Sequence, residues 1–172
     1  MSKFGFKDIT PANWLEPDPI MQGFAKLTVH GPEQITAEDL LKGIFEPQLS
    51  DSVPREVKAL FEVARGAMCY GYFFYPLYTL AYEQIFRVAE TAVTLKCKAL
   101  SAPASLKRFA QKVDFLIAKS VIPSDQKPRW EGIRGLRNSA SHPEMQSIVL
   151  PGNALHQLYR MAEVINNLFE SA

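Results

Sequence analysis

Apolar residues recur at three- and four-residue spacing in five successive blocks between Pro54 and Phe169, and a proline opens most of them. A period near 3.6 lines one face of a helix, and proline suits a first helical turn but not an interior. Packed helices are the expected outcome. The first block runs from Pro54 to about Tyr72 through Val57, Leu60, Phe61, Ala64 and Met68, with Asp51 or Ser52 as its cap. Pro76 restarts a second, to about Leu100, with Leu77, Leu80, Ala81, Ile85, Val88 and Ala92 on one face. The third spans about Ala104 to Ala118, with Leu106, Phe109, Val113, Leu116 and Ile117 as its stripe. A fourth follows Pro128, carries Trp130, Ile133 and Leu136, and should stop by His142, because Pro143 disfavours helical dihedrals in its predecessor. The last follows Pro151-Gly152 and turns Leu155, Leu158, Ala162, Ile165 and Phe169 inward. The pattern predicts an all-α, antiparallel bundle of about five core helices.

The chain before Pro54 reads differently. Six of the twelve prolines fall in residues 1–54, and PANWLEPDP at 11–19 is poorly suited to regular structure. Phe24–His30 suits a short strand before a His30-Gly31-Pro32 turn. Thr36 suits a helix N-cap, with Glu38 and Asp39 at the positive end of the dipole and Pro47 near its end. The division is thus an irregular N-terminal arm with a short helix, residues 1–53, packed on a helical domain, residues 54–172. At 172 residues this is one domain by size, large enough to bury a core without staples.

Several function classes drop out early. Cys69 and Cys97 are far apart and lie outside any Cys-x-x-Cys pattern, against a zinc ribbon, a disulfide framework or a thioredoxin-type site. No glycine-rich phosphate loop, zinc helix or serine elbow occurs, and His30, His142 and His156 are too scattered to suggest a metal site. The uncharged run Gly66–Tyr82 is seventeen residues, holds five tyrosines and is cut by Pro76, so it does not read as a membrane span. With no apolar leader at the N-terminus, the reading is a cytoplasmic protein.

The formal charge of +1 conceals an uneven distribution. Residues 1–54 carry four basic and eight acidic side chains, whereas residues 96–137 carry ten basic and three acidic, a local +7. Such a block is the footprint of a phosphate-binding face, with solvated helix surfaces as the other reading. Lys107, Arg108, Lys112 and Arg134 are the cations it offers to RNA.

One stretch carries chemistry. From Arg134 the chain reads R-G-L-R-N-S-A-S-H-P, which sets Arg137, Asn138 and His142 at the end of a helix late in an all-α chain. These residues resemble the signature of the HEPN superfamily (higher eukaryote and prokaryote nucleotide-binding domains): Arg, a polar residue, then His after a short gap. The order of the two long helices before it, and A-R-G-A-M-C-Y-G-Y at 64–72, are similar to the family too. The likeness covers roughly residues 54–170, and the N-terminal third matches nothing in it.

The resemblance implies a metal-independent endoribonuclease without cofactor, cutting single-stranded RNA to 2′,3′-cyclic phosphate and 5′-OH ends. A non-catalytic module binding a nucleotide or a partner is the alternative. It also implies a homodimer in which two motifs face each other, and a toxin or defence setting with an antitoxin protein as a further partner. The residue types fit that chemistry. Imidazole, at about 6.5 unperturbed, suits proton transfer, and a guanidinium matches two phosphate oxygens with a charge that is never lost. His142 is thus the expected acid–base group, Arg137 the phosphate clamp, and Asn138 a phosphate donor or ring orienter. In similar families an acid from the second long helix approaches the pair. Glu83 and Glu90, on one stripe with Arg87 and Thr94, are the candidates; a solvated face with Glu83 paired to Arg87 is the other reading. The aromatic run from Tyr70 to Tyr78 is expected to serve as core or oligomer interface, with base stacking as a further use.

Overall fold

The computed structural model describes residues 5–140 and 149–170, with residues 136–140 described by backbone only. Six helices carry the fold: α1 (Ala37–Phe45), α2 (Arg55–Tyr70), α3 (Leu77–Ala99), α4 (Phe109–Ala118), α5 (Lys127–Ala140) and α6 (Pro151–Glu170). The five core helices expected after Pro54 are α2 to α6, and the bundle is all-α apart from one small hairpin in the arm.

α3 is the central element, because α2, α4, α5 and α6 all pack against it. Its wholly buried Ala81, Ile85, Val88, Ala89, Ala92 and Val93 fill the core, and along its middle only a narrow stripe through Leu80, Arg87 and Thr94 stays exposed. α6 runs beside it in the same direction. The Val149 N–H just before α6 donates to Thr79 Oγ1 (3.1 Å), and Lys96 lies over the Phe169 ring at 5.5 Å. α4 and α5 run antiparallel to each other, and so do α5 and α6.

Three helix expectations are corrected. α4 starts at Phe109 rather than about Ala104. Ser101, at φ 53°, ends α3 in the left-handed region, and the Arg108 N–H donates to Gln111 Oε1 (3.0 Å), which fixes the new start there. Neither Asp51 nor Ser52 caps α2: Pro54 holds that position without a side-chain bond, while Asp51 pairs with Lys58. Leu80 points to solvent, because the turn at 71–76 sets the rotation of α3 and buries Tyr78 and Ala81 instead. The stop expected at His142 lies outside the described residues. Among the described residues no helix is long and apolar enough to cross a membrane.

The arm is more ordered than its prolines suggest. β1 (Ala25–Thr28) and β2 (Gly31–Gln34) form an antiparallel hairpin whose turn is Val29-His30, not His30-Gly31-Pro32. Gly31, at φ 111°, supplies the conformation that closes it. The Asp18 carboxylate, fully buried, accepts from the backbone N–H groups of Ile20 (3.0 Å) and Tyr75 (2.9 Å), and its own N–H donates to the Tyr72 carbonyl (2.9 Å). Those bonds tie the arm to the α2–α3 turn, and Met21 is buried beside them. The Lys7 ammonium folds the preceding loop on itself by donating to the carbonyls of Asn13 and Glu16. Thr36 and Asp39 cap α1 reciprocally. Farther along, the Asn166 amide on α6 holds both Ser50 N–H and the Gln48 carbonyl.

Candidate functional site

The two arginines of the motif stretch lie on α5, and what surrounds them follows from how α4 meets that helix. Lys127 pairs with Asp114 (2.8 Å) near one end of the contact, while Phe109 and Ala110 line the same groove as Arg134 near the other. The N-terminus of α4 and the C-terminal half of α5 therefore share one end of the pair. Lys107 and Arg108 enter α4 there, and Arg137 and Asn138 occupy the closing turns of α5. Positions distant in sequence thus share one end of the α4–α5 pair.

The groove between α4 and α5 is a cavity of about 100 Å³ with an apolar floor of Phe109, Val113 and Trp130. Its charged rim is mixed: Lys127 is spent on Asp114, Glu131 stands beside them, and Arg134 is exposed. The hydrogen bond from Lys127 to Asp114 raises the ammonium pKa, so Lys127 stays charged through the neutral range. Arg134, Lys107 and Arg108 have no ion-pair partner among the described residues. The four cations proposed for RNA are not equivalent. Lys112 is half-buried and donates through Nζ to Thr94 Oγ1 on α3 (2.9 Å), while its carbonyl accepts from the Cys97 thiol (3.6 Å). It serves as a strut between α3 and α4 and offers phosphate less than its neighbours do.

Glu83 and Glu90 are both half-buried along α3. The Glu83–Arg87 ion pair that helical spacing allows is not formed among the described residues, and Arg87 is exposed. Thr94 turns back on its own helix to the Glu90 carbonyl (2.7 Å). His142 lies outside the described residues, as do the side chains of Arg137 and Asn138. No group of three or more His, Cys, Asp or Glu side chains is placed to hold a metal ion among the described residues.

The aromatic run divides by role. Tyr75 and Tyr78 are core, stacked or edge-on with Phe24 and with each other, whereas Tyr70 faces solvent. Cys69 and Cys97 are both free thiols, and burial pushes both upward in pKa, away from nucleophilic use. His30 is exposed at the hairpin turn and His156 is exposed on α6.

Sequence reasoning passes over one feature on the other flank of α5. There Arg129 chelates Glu163 through both guanidinium arms (3.1 and 2.5 Å), which holds that carboxylate below its ordinary pKa. Arg160 and Gln157 of α6 border the adjoining groove. Neither stands in a recognisable pattern, so only the packing reveals them. Comparison with family models, with curated proteins and with solved structures returns no match.

Proposed function

We propose that this protein is a metal-independent endoribonuclease of the HEPN type, with its site at the corner where α4 begins and α5 ends. What supports the reading most is that the last turn of α5, which carries Arg137 and Asn138, closes the helix at the end of the α4–α5 pair where α4 begins. α4 starts there after Lys107 and Arg108, and Arg134 lines the groove between the two helices. These three cations form no ion pair among the described residues. In the reaction the 2′-oxygen attacks its own phosphorus as its proton leaves to a base. The bond from phosphorus to the 5′-oxygen breaks, and that oxygen takes a proton from an acid. His142 serves one of these transfers, and Arg137 meets the charge that grows on the phosphoryl oxygens. The second proton-transfer group is assigned to His142 of a second copy, because no other histidine belongs to the motif. Cyclic pairs are also the commonest soluble assembly.

The test is incubation of purified protein with single-stranded RNA in excess EDTA, followed by analysis of the fragment ends. Cleavage to 2′,3′-cyclic phosphate and 5′-OH termini is expected. Activity abolished by chelation would contradict the mechanism. RNA bound but left intact would reassign the site to a non-catalytic binding module.

A further inference from the structure

The groove between α5 and α6 combines a cavity, a nearly buried amide and an exposed guanidinium, neither side chain bonded to another described side chain. It is a cavity of about 90 Å³ lined by Arg129, Gly132, Ile133, Gln157, Arg160 and Met161, among others. Gln157 is only 6% exposed, yet its carboxamide bonds to no described residue, and the little surface it retains opens on this groove. Its amide atoms still meet solvent where the residue lines the groove, so they are placed to bond a ligand there. Beside it Arg160 is exposed and makes no side-chain hydrogen bond or ion pair to a described residue. Its charge is felt by Glu163 and by Tyr82 of α3. The charges bordering the groove are Arg129, Arg160 and Glu163, and the Arg129–Glu163 pair cancels, so the groove keeps one positive charge.

Chemistry selects the occupant. The groove has room for several waters or a small anion. One guanidinium beside an amide donor, with a single net positive charge, matches the oxygens of a tetrahedral oxyanion. We propose that the α5–α6 groove seats a phosphate group, its oxygens accepting from the Gln157 amide and the Arg160 guanidinium. Position argues for the same ligand. Ile133 lies four residues before Arg137 on α5, about 6 Å along the axis at 1.5 Å per residue. A strand that leaves the motif turn and rounds α5 therefore meets the groove about one nucleotide farther along the helix axis. The inference in this form rests on the ribonuclease reading; the oxyanion site itself does not.

Calorimetric titration of the whole protein with inorganic phosphate tests the site without any cleavage, and a parallel titration with single-stranded RNA in EDTA, using the His142→Ala background to keep the RNA whole, tests its use. Arg160→Gln should weaken phosphate binding at least about tenfold, the loss expected for a charge-assisted bond, and Gln157→Leu should weaken it about threefold. Arg55→Gln, exposed on α2, should leave it unchanged. Both variants should melt close to the parent, since Arg160 is exposed and the Gln157 side chain bonds to no described residue. If RNA affinity falls alongside, the phosphate is RNA's; if phosphate binding alone falls, the site takes free phosphate. Absence of phosphate binding by the parent, or equal binding by Arg160→Gln, would overturn the proposal whatever the RNA cleavage assay gives.

Discussion

Asp18 carries no recognisable motif, yet its carboxylate joins two backbone N–H groups on different elements while shut away from water. Asp18→Ala should destabilise the fold by about 2 kcal/mol, because the Tyr75 N–H would be left buried and unpaired. Urea unfolding checks this, and a loss below about 0.5 kcal/mol would mean that the arm can detach without consequence. The bond was illegible in the sequence because Asp18 and Tyr75 are 57 residues apart. The same holds for Lys112, which counts as a phosphate-binding lysine by charge alone and turns out to be bonded to Thr94. Arg137 and Asn138 were legible as a pattern because their spacing is local to one helix. The acid that would join them was not, because helical periodicity puts Glu83 and Glu90 on one stripe and leaves the choice to how α5 crosses α3.

At the scale of elements, α2, α3, α5 and α6 follow the periodicity that proline punctuates, since each start is a local event. The start of α4 shifted because a side chain in its first turn, Gln111, captures the Arg108 N–H, a capping role that hydrophobic spacing does not register. β2 escaped notice because Gly31-Pro-Glu-Gln34 has no alternation; it is held by pairing with β1. Two predictions belong here. Reversing Lys107, Arg108 and Arg134 to Glu should flatten the salt dependence of RNA affinity by about 2 in log–log slope, three phosphates at about 0.7 each. An unchanged slope in filter-binding titrations would remove the α4–α5 corner from the RNA path. Reversal of Lys112 should instead cost stability, through its lost bond to Thr94. The second concerns Asp39, which the Lys26 ammonium and the Thr36 cap together hold down at about 2. Its folded value lies below its ordinary 3.8, so its contribution is complete above pH 4 and fades as pH falls through 2. Melting curves between pH 5 and 2 should converge for the parent and Asp39→Asn; curves that stay parallel would contradict this.

On the scale of the whole molecule, α3 is the axis that makes the corner possible. The arm packs on α2, the α2–α3 turn and α6, while α4 and α5 pack on α3 away from the arm, so the basic side chains of α4 and α5 lie apart from the acidic arm. The single histidine of the motif makes the account depend on two copies meeting. Sedimentation equilibrium at micromolar concentration should show a dimer, and a monomer throughout would leave the second proton transfer without a donor. The central claim is tested most directly by the single-turnover cleavage rate of His142→Ala in EDTA, with RNA affinity measured on the same samples. The account predicts a rate at least about 10²-fold below the parent, the low end for a general acid–base group, with affinity within about threefold. A variant that cleaves at the parental rate would contradict it.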